Sequence, residues 1–266
     1  MANFRSITQI GTSEPFELQV ARGQIPGHKP LFKFGNNTTV GDSLETIWAE
    51  GGLYSYLTAA TVLKVSSSST DDTSAGTGAR TVQLYGLDGD YNEINELVTL
   101  NGQTAVNTTQ SFLRINRMVV RSAGSGGANA GVVYAGTGTV TTGVPANVYA
   151  SVNGVTGANQ SLMALWTVPA GYTAYLLQYD VSNGTSSQTP AVCKLILAIR
   201  PYGEVFQSKD VKSLTTGMHV EENFALPVKI EEKSDIEVRA ISSSNSVNFD
   251  ISAAFEIVYI KNGDTF

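Results

Sequence analysis

Gly41-Asp42-Ser43-Leu44 spells the nucleophile motif of one esterase family. A serine in that setting is reactive only with a base within hydrogen-bond reach. The downstream Asp-x-x-His partner is missing, because Thr216 stands three positions before His219 and His28 lies upstream in a proline-bracketed segment. Asp88-Gly89-Asp90-Tyr91-Asn92 begins like a calcium loop, but Glu93 occupies the glycine position and Thr99 that of the bidentate glutamate. The expectation is a turn in which Asx side chains bond the local backbone, with a loose surface Ca2+ site at Asp88, Asp90 and Glu93 as the alternative. The run 124–131 is glycine-rich yet departs from Gly-x-Gly-x-x-Gly and has no following helix to bind phosphate.

Other chemistry is thinly represented. Two histidines and one cysteine make no His/Cys metal constellation. Cys193, in Ala-Val-Cys-Lys-Leu-Ile-Leu-Ala-Ile, reads as a small core residue of a strand. Glu221-Glu222 and Glu231-Glu232 read as solvated charges at strand ends; the alternative is a paired-carboxylate glycosidase site. Arg114, Arg117 and Arg121 form a local basic run, with Arg117 and Arg121 on one strand face, Arg114 on the other, and all three expected in solvent. Trp166, Tyr172 and Tyr202 are candidate stacking platforms for a sugar, set against their reading as core aromatics. The expectation is a chain that is not an enzyme, with no catalytic, cofactor or metal-ligating residues.

Composition narrows the class. In 266 residues only 15% are charged and the net charge is −6, so a general nucleic-acid binder, which needs a dense field of Lys and Arg, is disfavoured. Neutral hydroxyls and amides must wet much of the surface, which suits a packed assembly. No apolar stretch approaches the roughly 20 residues of a membrane helix, and residues 1–8 lack a signal-peptide core. Synthesis in a cytoplasm without a cleaved signal is expected, so the Asn37, Asn107 and Asn183 glycosylation patterns are compositional accidents.

The elements that must position these groups are strands. Residues 1–52 carry Pro15, Pro26 and Pro30 with scattered aromatics, which predicts an extended N-terminal arm with one helical turn over 42–49. Phe16, Phe32, Phe34 and Trp48 are the candidate assembly contacts on that arm. Strands are predicted at 60–65, 79–84, 94–100, 111–121 and 131–134 in a first β-region, 53–150, with 136–157 as a soft connection. A second β-region, 151–266, has a hairpin through Pro169 to Gly171 and further strands at 191–200, 203–208, 220–230, 234–241 and 248–260. Phe249, Ile251, Ala253, Phe255, Ile257 and Tyr259 alternate and so share a core face. Many strands and no amphipathic helix predict an all-β chain with an antiparallel β-sandwich or jelly-roll body, either continuous or of two packed domains.

Phe16-Glu17-Leu18-Gln19-Val20-Ala21-Arg22-Gly23-Gln24-Ile25-Pro26-Gly27-His28, Lys33-Phe34-Gly35-Asn36-Asn37, Glu45-Thr46-Ile47-Trp48 and Gly76-Thr77-Gly78-Ala79-Arg80-Thr81-Val82 form a recognisable series. With Gly86-Leu87-Asp88, Val98-Thr99-Leu100-Asn101-Gly102 and Phe112-Leu113-Arg114-Ile115-Asn116-Arg117, it resembles a group of virion structural proteins of tailed bacteriophages. The resemblance covers most of 14–135. It implies a virion location, with synthesis in the bacterial host cytoplasm, and it transfers no catalytic residues. The leading expectation is a capsid cement or decoration subunit, an oligomer or trimer that bridges major capsid proteins and stabilises the expanded head. A tail or neck component (adaptor, tube or fibre-anchoring protein) is the alternative, and a host-glycan-binding attachment protein the third. Neither nucleic acid nor a membrane is an expected partner.

Overall fold

A computed structural model describes residues 14–154, 157–185 and 191–263. Residues 1–13 of the expected arm, 155–156 of the expected connection, and 186–190 and 264–266 of the second β-region lie outside the described residues. Among the described residues there is one short helix, α1 (Phe16–Ala21), which follows Pro15 and carries Glu17 in its first turn. Sixteen strands follow among the same residues. They are β1 (His28–Val40), β2 (Glu45–Thr46), β3 (Thr61–Ser67), β4 (Ala79–Leu87), β5 (Glu93–Thr99), β6 (Val106–Phe112), β7 (Arg114–Ala123) and β8 (Val133–Thr141). The rest are β9 (Val144–Val152), β10 (Leu165–Thr167), β11 (Tyr172–Asn183), β12 (Cys193–Arg200), β13 (Gln207–Leu214), β14 (His219–Ile230), β15 (Asp235–Ser242) and β16 (Phe249–Lys261).

The strands form four antiparallel sheets, ordered β1-β16-β11-β14, β10-β15-β12-β13 with β2 added to β15, β6-β3-β8-β9, and β5-β4-β7. The all-β expectation holds, but the sandwich or jelly-roll body is corrected to a four-bladed, propeller-like arrangement of these sheets. Regular strand spacing is common to every antiparallel architecture, and it is the pairing order that separates them. Each blade recruits distant strands, the longest reach being β1 to β16, from His28↔Ile260 through Val40↔Phe249.

Two large apolar clusters fill the interior, and a small third one lies under α1. One joins the first two sheets through Leu176, Tyr179, Leu195, Leu197, Ile236, Val238 and the alternating face of β16. The other joins the third and fourth through Leu63, Val65, Val82, Leu84, Phe112, Ile115, Met118 and Val152. Trp48, Met163 and Leu165 belong to the second cluster, whereas Ile47, Ala164 and Trp166 belong to the first, so these short segments run along the seam between the two. Gly35 of β1 permits the backbone to approach there, since a Cβ on it would lie 2.2 Å from Ala164 N and 2.5 Å from Ile47 O.

Within the segment read as an arm, β1 is an edge strand of the first blade and α1 packs Val20 against Val258. The helical turn expected at 42–49 is absent. Glu45 instead accepts from Gly41 N (2.8 Å), Gly52 N (2.9 Å) and Asn37 Nδ2 (2.9 Å), and β2 adds to β15. A carboxylate that collects loop N–H groups holds an irregular turn open against helix formation. The expected soft connection contains the β8–β9 hairpin. Its two-residue loop, Thr142-Gly143, has φ of 50° and 82°, the geometry of a type I′ turn. Exposed Thr142 is β-branched and unsuited to positive φ, so Thr142→Asn is expected to raise the unfolding free energy by about 1 kcal/mol in urea titrations.

Candidate functional site

Asp235 opens β15 in the interior, and its carboxylate gathers side chains from three strands of the second and fourth blades. Arg114, the first residue of β7, donates from Nε to Oδ1 at 2.9 Å. Arg200, the last of β12, donates from Nε at 2.9 Å and Nη2 at 2.5 Å to Oδ2. Thr167 of β10 donates from Oγ1 at 2.5 Å to Oδ1. Arg114 is buried, which corrects the expectation of a solvated basic run; its Nη1 also donates to the carbonyls of Leu57 (3.0 Å) and Leu113 (2.9 Å). Burial by itself would lower the Arg114 pKa, and the charge and hydrogen bonds of Asp235 outweigh it, so the guanidinium is held above its ordinary value.

An aromatic layer lies against these charges. The Tyr56 ring sits 4.9 Å from Arg114 Cζ and 4.3 Å from Arg200 Cζ, while Phe206 sits 4.7 Å from Arg200 and 4.0 Å from Arg239. Arg239 bonds Glu237, which also accepts from the Tyr56 hydroxyl at 3.1 Å. Burial pushes the Glu237 carboxyl above the usual range against the pull of Arg239, and burial with the Glu237 charge holds the Tyr56 phenol well above its own.

Outside this floor a cleft of about 570 Å³ opens, walled by 56–60, Gly89, Tyr91, 201–204 and Lys233. Asp88 positions one wall. Its Oδ1 accepts from Asp90 N and Asn92 N, both at 2.9 Å, the Asx turn expected from the sequence, and the turn delivers Tyr91. Burial acts to raise the Asp88 pKa, but the hydrogen bonds from Asn92 and Asp90 prevail and lower it. Tyr91 and Lys233 are both non-glycine residues in the left-handed region, with φ of 67° and 62°. The β10–β11 turn braces both, through Ala170 N to Tyr91 O and Lys233 N to Val168 O, each 2.9 Å. Such backbone costs on the order of 1–3 kcal/mol per residue and concentrates at ligand sites.

On the other wall Tyr202, in the β12–β13 connection, is 62% exposed. Its ring lies 5.7 Å from that of Tyr91, edge to face at 85°, with Lys233 Nζ 5.4 Å from its centroid. The cleft therefore offers an open aromatic face beside guanidinium, ammonium and carboxylate groups. Geometry of this kind takes a ligand with one apolar face and a rim of hydroxyls.

The remaining sequence candidates are dispersed. Trp166 is buried against Tyr259 (5.2 Å), and Tyr172 is half-buried against the same ring (5.2 Å), so neither is an open platform. Phe16 and Phe32 are exposed, Phe34 is half-buried, and Trp48 is buried with Nε1 donating to Gly51 O at 2.7 Å. Ser43 is exposed, while His28 bonds Pro26 O at 2.9 Å and His219 faces Asp180 at 4.0 Å. Cys193 is buried in the first core, and burial pushes its thiol up to about 12. Among the described residues no three His, Cys, Asp or Glu side chains are grouped to hold a metal. Tyr56, Arg200 and Asp235 were not anticipated; no local pattern announces them.

The capsid-cement expectation does not stand. It joined a jelly-roll body to a free gripping arm, whereas the body is four propeller-like blades and the arm segment 28–40 is paired into one of them. No family model matches the chain, and no curated protein matches it. Among solved structures it is similar to a chain of the infectious bursal disease virus Gx strain, at 11% identity and TM-score 0.25, covering 90% of this chain and 73% of that chain. The VP2 subviral particle of the same virus is similar at 12% identity and TM-score 0.25, covering 94% of this chain and 78% of that chain. At a TM-score of 0.25 these likenesses carry no argument about fold or role.

Proposed function

We propose that this chain is a non-catalytic, glycan-binding attachment protein of a tailed-bacteriophage virion, taking a saccharide of the host surface in the Tyr91–Tyr202–Lys233 cleft. The open ring of Tyr202 carries the reading. It is 62% exposed, yet steadied edge-on by Tyr91, whose backbone is held in an unfavourable region. An aromatic ring fixed in solvent at that cost stacks on the C–H face of a pyranose, while Arg200, Glu204 and Lys233 reach ring hydroxyls. The resemblance of 14–135 to phage virion proteins supplies the setting.

A glycan array probed with the labelled protein tests this, followed by titration of the best ligand against Tyr202→Ala. The side chain is exposed, so the variant should fold normally and lose about 2 kcal/mol of binding, a weakening of about thirtyfold in Kd. A blank array, or a ligand that Tyr202→Ala binds unchanged, would sink the assignment.

A further inference from the structure

We propose a second binding site, independent of the glycan cleft, in which Lys33, Arg117 and Arg121 hold the oxyanion of a small carboxylate- or phosphate-bearing ligand. The site is a cleft of about 610 Å³ where β1 and β16 of the first blade face β4, β5 and β7 of the fourth. Lys33 is 2% exposed, and its ammonium has the Asn116 carbonyl as acceptor. Arg117 returns the bond across the same seam, donating from Nη2 to Phe32 O at 2.5 Å, and Arg121 bonds the Tyr85 hydroxyl. None of the three forms an ion pair among the described residues. Glu93, the one carboxylate among the described residues lining the cleft, is committed at both oxygens, to Lys29 at 2.5 Å and to the Tyr259 hydroxyl at 2.9 Å.

Cations gathered without a counter-charge around an open volume are complementary to an anion. Lys33 makes the case sharper than surface basicity does, because a buried amine with no carboxylate partner is costly unless a ligand supplies one. Burial first, and then the neighbouring Arg117 charge, hold the Lys33 amine well below its usual value in the free protein. The groups facing it across the cleft are Arg117 and Arg121 of β7, Glu93 of β5, Tyr85 of β4 and Tyr259 of β16. An arriving oxyanion favours the ammonium form and so raises that pKa. Asn95, Asn116 and Gln160 add amides suited to a polar body behind the charged group.

Calorimetric titration and thermal melts with glucuronate, glucose 6-phosphate and glucose test the site and separate the two oxyanion sources. At least one anion should bind and raise Tm, and glucose should do neither. Lys33→Met fills the same space without a charge to desolvate, so it should fold and lose the anion response. Arg121→Gln, on the exposed rim, should weaken binding by about tenfold. The proposal is overturned if neither anion binds, if glucose binds equally, or if Lys33→Met binds as wild type. Tyr202→Ala is titrated in parallel, and anion binding that it abolishes would belong to the first cleft instead.

Discussion

Asp235→Ala is expected to lower the unfolding free energy by about 3–5 kcal/mol, the range found when one partner of a buried ion pair is removed. Asp235 is 2% exposed and holds two guanidiniums and the Thr167 hydroxyl. Its loss strands charges that cannot escape by deprotonation, because an arginine stays protonated in proteins. The two arginines differ in their recourse. Arg200, with 27% of its side chain exposed, can swing towards the cleft and hydrate, whereas Arg114, at 7%, has two backbone carbonyls for company. The cost therefore concentrates on Arg114. The double variant Asp235→Ala with Arg114→Met should recover a large part of it, although either change alone destabilises. Urea unfolding monitored by tryptophan fluorescence reads both, provided the m-value is unchanged. A single-variant cost below about 1 kcal/mol would show that the network is not what joins the second and fourth blades.

The same network marks the boundary of what local reading can reach. The core face of β16 was legible because alternation over Phe249, Ile251, Ala253, Phe255, Ile257 and Tyr259 is a property of neighbouring letters. So were the buried Cys193 and the Asx turn at Asp88. Pairing order is not such a property. Nothing around His28 announces that it will face Ile260, and without that contact a string of evenly spaced strands reads as a sandwich just as well as four blades. Strands β6 and β9 escaped notice for a related reason, as did β1 and β2 inside the segment read as an arm. In β6 the inward positions include Thr108, whose hydroxyl accepts from Leu63 N, so its apolar signal is weak; β9 is diluted by Pro145 and Asn147.

The candidate site divides along the same line. Tyr202 was visible as an aromatic in a turn-forming context, but its neighbour Tyr91 was seen only as part of a failed calcium loop. Strand alternation placed Arg114 opposite Arg117 and Arg121, yet alternation says which face a side chain takes and not whether that face is solvated. The partner that decides it, Asp235, is 121 residues away. Lys33 is misread by the same rule. Alternation puts Phe32 and Phe34 on one face and Lys33 on the other, which reads as a solvated lysine, whereas Phe32 is 51% exposed and Lys33 is buried.

Asp72→Ala is the second large effect expected, at about 3 kcal/mol, and it explains the glycines that precede β4. The Asp72 side chain is fully buried and accepts from Ser67 Oγ (2.5 Å), Ala79 N (2.6 Å), Ala130 N (2.8 Å) and Gly131 N (3.0 Å). Its own carbonyl takes Gly102 N at 2.8 Å, so one residue ties the 67–79, 101–104 and 124–131 loops together. Gly78 clears the space, since a Cβ there would lie 2.1 Å from Asp72 Oδ1. Alanine would leave three backbone N–H groups without an acceptor in a site that water does not reach, each costing on the order of 1 kcal/mol or more. Asp72→Asn tests the reasoning more closely. Its oxygen can still serve Ala79 and Ala130, but its amide nitrogen would meet Gly131 N as a second donor. The Ser67 hydroxyl can rotate to accept from that nitrogen, while the Gly131 amide has no such freedom. Stability should therefore fall in the order wild type, Asn, Ala, and hydrogen exchange at Gly131 should quicken in both variants, with Ala79 and Ala130 affected mainly in the second. Equal loss at all three amides in the Asn variant would mean that the loop junction depends on the negative charge itself and not on the count of acceptors.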